Sequence, residues 1–223
     1  AAAVVSLTNA AVDHLKMEYP TALERQQIVI IPTCANLDRF TPQLDQRSGP
    51  IVHGCIGTIL SGWFRTDWLA AWLSTVAQVN PDARFEIVTR DDEDLVRTAL
   101  DPMNKFADRL EIGPRTSEEM PDAVRSHDLS VMFYAGWEVS ELGRSPTRMA
   151  EVLGCGLAVV ANEGVGDVAD IIRQYNVGVI VKDRSEAAMA TALDELSALR
   201  SDPDLPSRCR QAAEEVFSLE AGT

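Results

Sequence analysis

The feature that most constrains this chain is a repeated alternation between short apolar runs and longer amphipathic stretches. The runs have the length of β-strands, and the stretches between them carry apolar residues at helical spacing. In residues 65–79 this spacing places on one face Trp68, Leu69, Trp72, Leu73 and Val76. Strands that are apolar on both faces are typical of a parallel sheet covered on two sides. The sequence therefore predicts an α/β fold, a Rossmann-like parallel sheet with helices on both faces.

The predicted strands share aliphatic residues bounded by glycine, proline or charged residues; they are 28–31, 51–56, 85–89, 109–112, 129–133, 157–161 and 177–181. The predicted helices share amphipathic spacing; they are 10–17, 65–79, 91–100, one that opens at 117, 146–153, 168–174, 185–199 and 205–217. We expect residues 51–200 to form the sheet and its helices.

The two ends of the chain predict a piece of a longer polypeptide. The chain begins without methionine in a strand-like run and ends at residues 217–223 without a clear helix cap. We expect residues 1–30 to pack poorly as an independent unit and residues 31–223 to form the main domain. The stretch 41–50, rich in proline and polar residues, predicts an exposed loop or linker.

Charge and cysteine spacing exclude several classes of protein. A formal net charge of -14 repels nucleic acid and anionic membranes. No apolar run approaches the roughly 18 residues of a membrane span. Because no C-x-x-C pair is present, we expect buried thiols in a reducing cytoplasm, rather than a zinc site, for Cys34, Cys55, Cys155 and Cys209.

Arginine follows several of the predicted strands. Ligands of open parallel sheets bind beyond the carboxyl ends of the strands, where Arg90, Arg115 and Arg148 are expected. Arginines gathered at one edge of an acidic protein predict an anionic small ligand such as a phosphate or diphosphate. The alternative is that each arginine pairs with a neighbouring acid such as Asp91, Asp92 or Glu118. We favour this alternative for Arg90 and the ligand for Arg148.

The segment before Arg148 predicts a helix start that binds anions. Ser145 suits the N-cap and Pro146 the first helical position. The free backbone N–H groups of Thr147 and Arg148 then point out of the helix end towards an anion. Glu151 lies on the same side of the helix. Its spacing leaves two alternatives open, which are hydrogen bonds from the vicinal hydroxyls of a ribose and a salt bridge to Arg148.

Glycine turns and histidines supply weaker signals. Gly57 and Gly166 stand in turns after strands, where a backbone without side chains can approach a ligand. His53, at the end of a strand, is open to either a ligand contact or a structural role, and His127 is expected at the surface or its boundary. Capping explains the Asp91-Asp92 pair at a helix start, so we expect no metal.

One run of the sequence resembles a known family. Residues 145–162, SPTRMAEVLGCGLAVVAN, and the turn GVGD at 164–167 resemble the donor-site signature of GT-B glycosyltransferases of the retaining family 4 type. Residues 30–40, IIPTCANLDRF, resemble the linker that precedes this domain, and residues 4–8 resemble the end of the acceptor domain. The match covers nearly the whole chain in order and spacing.

The resemblance implies the nucleotide-sugar-binding half, the C-terminal domain, of a two-domain GT-B enzyme. Such a hexosyltransferase-type glycosyltransferase moves a sugar from a nucleotide-diphosphate donor to an acceptor with retention, and needs no cofactor or metal. Its partners would be the nucleotide sugar and the missing N-terminal acceptor domain, with no nucleic acid and no membrane span. We expect a cytoplasmic enzyme of polysaccharide biosynthesis that is inactive as this piece alone. The alternative is a non-catalytic nucleotide or nucleotide-sugar binding module.

The resemblance also assigns roles to residues. Glu151 would hold the ribose hydroxyls, the N–H groups near Thr147 and Arg148 would face the diphosphate, and Arg65 would be a basic diphosphate contact. The loop after residue 112, which contains Arg115, would lie along the base. The second family glutamate, eight residues before the ribose glutamate, is here Gly143. The candidate donor-binding residues are Glu151, Arg148, Thr147, Ser145, Arg65, Gly57, Arg115 and Gly166.

Overall fold

The computed structural model describes residues 3–43 and 48–222, so part of the predicted linker 41–50 lies outside the described residues. The strands are β1 Ala3–Ser6, β2 Gln27–Ile30, β3 Val52–Ile56, β4 Arg84–Val88, β5 Leu110–Gly113, β6 Leu129–Met132, β7 Ala158–Asn162 and β8 Gly178–Val181. The helices are α1 Asn9–Glu18, α2 Pro20–Leu23, α3 Thr66–Val79, α4 Glu93–Leu100, α5 Met120–Arg125, α6 Val139–Leu142, α7 Thr147–Gly154, α8 Val168–Tyr175, α9 Glu186–Arg200 and α10 Leu205–Phe217.

The predicted parallel α/β sheet is confirmed. Its six strands lie in the order β5-β4-β3-β6-β7-β8 and every neighbouring pair is parallel. Helix α3 packs against α4 and α9, while α7 packs against α5 and α10, so two groups of helices flank the sheet. The strand order reverses between β3 and β6, which opens a crevice at their carboxyl ends, where ligands of such sheets bind.

The core is aromatic around β3 and β4. The largest fully buried side chains include Trp72, Phe85 and Phe133. His53 belongs to this core, because its Nδ1 accepts a hydrogen bond of 3.1 Å from Nε1 of Trp72. Burial lowers the pKa of His53 to about 3, so the ring is neutral and has a structural role.

The prediction that His127 lies at the surface is wrong. The residue is 1% exposed, and its Nε2 lies 3.2 Å from Oε2 of Glu86. Its ring lies directly against Gly54 in β3, where any added Cβ would collide with it. A glycine inside a strand thus makes the space that buries this histidine.

The thiols follow the prediction of buried cysteines for the most part. Cys55, Cys155 and Cys209 are buried free thiols, and Cys34 is half-buried. Burial raises the pKa of Cys155 and of Cys209 to about 12, which keeps both protonated.

A second, smaller sheet precedes the main one. Strands β1 and β2 pair in parallel, with α1 and α2 between them in the chain. Within residues 3–31 only Thr8 and Val12 are buried. The division at residue 30 stays a prediction. No helix in residues 3–43 and 48–222 is long and apolar enough to cross a membrane.

Candidate functional site

A cleft of about 420 Å³ opens at the carboxyl ends of β3 and β4 and reaches the start of α7. Its apolar lining includes Phe40, Ile56, Val88 and Met120. Its cationic lining consists of Arg39, Arg90, Arg115 and Arg148, against the single carboxylate of Glu151. The cleft has a volume typical of small-molecule sites. The excess of arginine favours an anionic ligand, and the phosphate or diphosphate expected from the sequence stays a prediction.

Arg90 lines the cleft, and within residues 3–43 and 48–222 no ion pair joins it to Asp91 or Asp92, so the prediction that it pairs with its acidic neighbours is wrong. Both neighbours hold backbone N–H groups instead. The carboxylate of Asp91 accepts from the amides of Ile59 and Leu60, at 2.6 and 3.0 Å. Asp92 caps α4 and accepts from the amide of Leu95 at 3.0 Å, which confirms the predicted capping.

Arg115 forms one wall of the cleft and is held there by two carboxylates. Its Nη2 donates to Oε1 of Glu86 at 2.7 Å and to Oε1 of Glu111 at 2.8 Å. Burial of Glu86 opposes its ionisation, but the contact with His127, the hydrogen bond from Ser126 and the charge of Arg115 keep its pKa below the usual value. Arg115 therefore has a fixed orientation and a charge that its own neighbours partly neutralise.

Helix α7 begins one residue later than predicted. Pro146, with an extended ψ of 114°, occupies the N-cap, and the helix starts at Thr147. Ser145 is not the cap, since its Oγ accepts a hydrogen bond of 3.0 Å from the amide of Thr33. The amides of Thr147 and Arg148 still lie in the first turn, where helical N–H groups lack intrahelical acceptors.

Of the two alternatives for Glu151, the structure forms the salt bridge to Arg148. Arg148 donates through Nη1 to Oε2 of Glu151. Glu151 is 9% exposed, and burial raises its pKa although Arg148 opposes this shift. Both side chains line the cleft, so the pair presents a cation and a carboxylate to the same ligand space.

Four of the eight candidate residues line the cleft, and these are Gly57, Arg115, Arg148 and Glu151. The others, Arg65, Thr147, Ser145 and Gly166, do not line it. Arg65 lies 5.1 Å over the ring of Trp68 and pairs with Asp67 at 3.5 Å. Gly166 donates its amide to the carbonyl of Glu141 at 2.8 Å, so it joins the turn after β7 to helix α6.

Gly57 lines the cleft with its backbone. Its φ of 154° is one that other residues rarely adopt, and nothing lies within 4 Å of the position of a Cβ. Its amide donates to the carbonyl of Val88 at 3.1 Å, which fixes the turn after β3 against the end of β4. The open backbone at this turn leaves room for a ligand.

Arg39 and Phe40 are cleft residues that were not among the candidates. They come from the segment between β2 and β3. This segment is held against the end of α10, because the amide of Ala35 donates to the carbonyl of Phe217 at 2.9 Å. Nη2 of Arg39 donates to the carbonyl of Ser117 at 2.6 Å. In the sequence both residues belong to the LDRF run at 37–40, which the resemblance identifies only as part of a linker.

The residues that the structure describes hold no cluster of three histidine, cysteine, aspartate or glutamate side chains placed to bind a metal ion. The expectation that nucleotide binding needs no metal stays a prediction.

The family model described as Glycosyl transferases group 1 matches residues 50–198. No curated protein matches the sequence. Among solved structures, a glycosyltransferase from Rickettsia africae ESF-5 is 18% identical with a TM-score of 0.75, over 99% of this chain and 60% of that one. Sucrose-phosphate synthase from Thermosynechococcus elongatus is 19% identical with a TM-score of 0.72, over 98% and 55%.

A third similar structure is HepE from Anabaena in complex with UDP and glucose. It is 15% identical with a TM-score of 0.71, over 100% of this chain and 61% of that one. The chain thus spans little more than half the length of these proteins. Likeness at this level of identity establishes the fold alone.

Proposed function

Because this chain belongs to the Glycosyl transferases group 1 family, we propose that it binds a nucleotide-diphosphate sugar in the cleft at the carboxyl ends of β3 and β4. The observation that carries the proposal is the meeting of Arg148, Glu151 and the start of α7 with the turn at Gly57 in one cleft. Each of these groups suits a different part of a nucleotide.

The diphosphate belongs at the start of α7. The amides of the first helical turn and the helix dipole favour an anion there, and the guanidinium of Arg148 adds a charge-assisted contact. Arg90, which is exposed at the same cleft, adds a second positive charge. These cations attract an anion although the chain as a whole carries a net charge of -14.

The ribose belongs beside Glu151. Arg148 binds this carboxylate through Oε2, which leaves Oε1 for a ribose hydroxyl. The raised pKa of Glu151 means that acid conditions protonate it sooner than an exposed glutamate, and a protonated carboxyl is a poorer acceptor. The apolar side chains of Phe40, Val88 and Met120 then offer a surface to the base.

The activity of the whole protein is part of the same proposal. We propose hexosyl transfer with retention by a cytoplasmic enzyme of polysaccharide biosynthesis, with no cofactor or metal. The main domain would begin at residue 31 and work with an N-terminal acceptor domain, of which residues 1–30 are the last part; alone, this piece would be inactive. The complex of HepE with UDP and glucose supports a donor of this chemical class.

A non-catalytic nucleotide-binding module is the second candidate, and one observation favours it. The position eight residues before Glu151 is Gly143, so no carboxylate stands there to contact the donor sugar. The nearby Glu141 is 2% exposed and paired with Arg144, which removes it from the cleft. A turnover assay of the full-length protein separates this candidate from an enzyme.

Calorimetry on two variants tests the proposed donor site. Arg148→Ala should weaken binding of UDP, GDP or ADP by about tenfold to hundredfold, and that of the matching nucleoside much less. Glu151→Gln should weaken nucleoside and diphosphate by a similar factor and reduce the preference for ribose over 2'-deoxyribose.

Arg173→Ala is the matched control, because this exposed arginine of α8 pairs with Glu163 and Asp170 away from the cleft. The control should bind like the wild type. Wild-type affinities in both cleft variants would contradict the assignment, and would leave the Arg148–Glu151 pair with a structural role only.

A further inference from the structure

An ion pair outside the cleft holds the segment that leads into α7. Glu141, in the short helix α6, is 2% exposed. Its Oε1 accepts from Nη2 of Arg144 at 2.7 Å, and its Oε2 accepts from Nε of the same side chain. The guanidinium also lies 5.1 Å from the ring centroid of Tyr134. A buried carboxylate is costly unless it is paired. Two parallel hydrogen bonds from one guanidinium, which also stacks over an aromatic ring, fix the relative orientation of the two side chains.

The backbone around the pair is held from two further sides. The amide of Gly166, in the turn after β7, donates to the carbonyl of Glu141 at 2.8 Å. Gly166 has a φ of 43°, and a Cβ there would collide with the carbonyl of Arg144. From the N-terminal segment, Oγ1 of Thr8 donates to the carbonyl of Leu142 at 2.5 Å. The segment therefore has little freedom to move.

This segment continues directly into α7. Ser145, whose Oγ accepts from the amide of Thr33 at 3.0 Å, is followed by Pro146 at the N-cap. Arg148 and Glu151 lie within the helix that starts there. A shift of residues 141–145 would move the start of α7, and with it both cleft side chains.

We infer that Glu141 and Arg144 are positioning residues, whose ion pair sets where the start of α7 meets a bound diphosphate. Neither residue lines the cleft, so they act through Arg148 and Glu151. The inference rests on the proposed function, because it takes the diphosphate to bind at Arg148.

The binding test uses Glu141→Gln, which keeps the size of the side chain and removes its charge. For whichever of UDP, GDP and ADP the wild type binds best, we expect affinity to fall by about tenfold or more, since small displacements of binding groups are costly. In an Arg148→Ala background the same substitution should cause a smaller further loss than in the wild type, because part of its effect passes through Arg148. Glu163→Gln, at the exposed pair with Arg173, is the control and should bind normally.

A second measurement needs no ligand. Arg144→Lys keeps the charge but loses the planar fork that binds both carboxylate oxygens. In this variant and in Glu141→Gln, amide hydrogen exchange should become faster at residues 149–151, the first bonded amides of α7, while β3 and β7 keep their wild-type protection. The control variant Glu163→Gln should exchange like the wild type. If Glu141→Gln does not fold, Arg144→Lys replaces it in the binding test.

The outcomes separate the two proposals. Weakened, non-additive diphosphate binding together with faster exchange at residues 149–151 supports the positioning role. If the wild type binds a diphosphate and the variants bind it equally well, or if their losses simply add to that of Arg148→Ala, the positioning role is overturned and the proposed function stands. If the wild type binds none of the three diphosphates, the proposed function falls and the inference falls with it.

Discussion

The molecule contains two parallel sheets that differ in how they are covered. In the six-stranded sheet every residue of β3, β6 and β7 is buried. In the two-stranded sheet, residues of β1 and β2 alternate between exposed and half-buried. Parallel sheets are normally covered on both faces. The same strand pairing therefore supports a core in one region and not in the other.

Polar contacts, with little apolar burial, join the small sheet to the rest. The carboxylate of Asp167 accepts from the amides of Asn9 and Ala10, at 2.7 and 2.9 Å, at the start of α1. Large apolar side chains remain exposed in this region, namely Val5, Leu7, Met17, Tyr19 and Val29. Residues 3–31 are therefore attached to the main domain without forming a core of their own.

The largest expected effect comes from matched substitutions in the two sheets. Val160→Ala, in β7 at 0% exposure, should lower the free energy of unfolding by about 1.5–3 kcal/mol, because it empties a buried site. Val5→Ala, in β1 at 63% exposure, should change it by no more than about 0.5 kcal/mol. Chemical denaturation measures both, and equal losses would mean that the two sheets are covered alike.

A smaller effect should appear where the two regions meet. Asp167→Ala removes the acceptor of the Asn9 and Ala10 amides at the start of α1, while Thr8 remains its N-cap, and the loss of these hydrogen bonds costs about 1 kcal/mol. Amide exchange should become faster in α1 and β1 while β3 and β7 keep their protection. Asp170→Ala, with a side chain 83% exposed, is the control. Faster exchange throughout the six-stranded sheet would instead show that the two regions unfold together.

The smallest effect concerns pH and the main sheet. The pKa of Glu86 is lowered in the folded protein, so its ionised form adds stability above the ordinary value of 4.5, and this is lost as pH falls through the lowered pKa. The stability gap between the wild type and Glu86→Gln should therefore be widest at neutral pH and close in acid. Acid titration of unfolding, with the exposed Glu93→Gln as control, measures this; a gap that is independent of pH contradicts it.

The sequence predicted the six-stranded sheet because each strand carries a local apolar signal. It did not predict the burial of His127, which depends on Gly54 in a neighbouring strand. The helix start at α7 was misplaced by one residue, because Ser145 binds the distant amide of Thr33 instead of capping the helix.

For the cleft, the sequence identified Arg148, Glu151, Arg115 and Gly57, which follow strands or begin a helix. It missed Arg39 and Phe40, because local patterns do not encode the hydrogen bond from Ala35 to Phe217 that holds their segment against α10. It also misjudged Arg90, because the carboxylate of Asp91 accepts instead from the distant amides of residues 59 and 60. Tertiary hydrogen bonds thus decide what the local signals leave open.

The most direct test of the central claim follows backbone amide chemical shifts while UDP, GDP and ADP are added in turn. We expect one of these nucleotides to shift the amides of Gly57, Thr58, Thr147 and Arg148, at the cleft and at the start of α7. Amides in residues 3–31 should stay unchanged, because that region supplies no part of the cleft. Shifts confined to residues 3–31, or no shift with any of the three nucleotides, would contradict a donor site in the main domain.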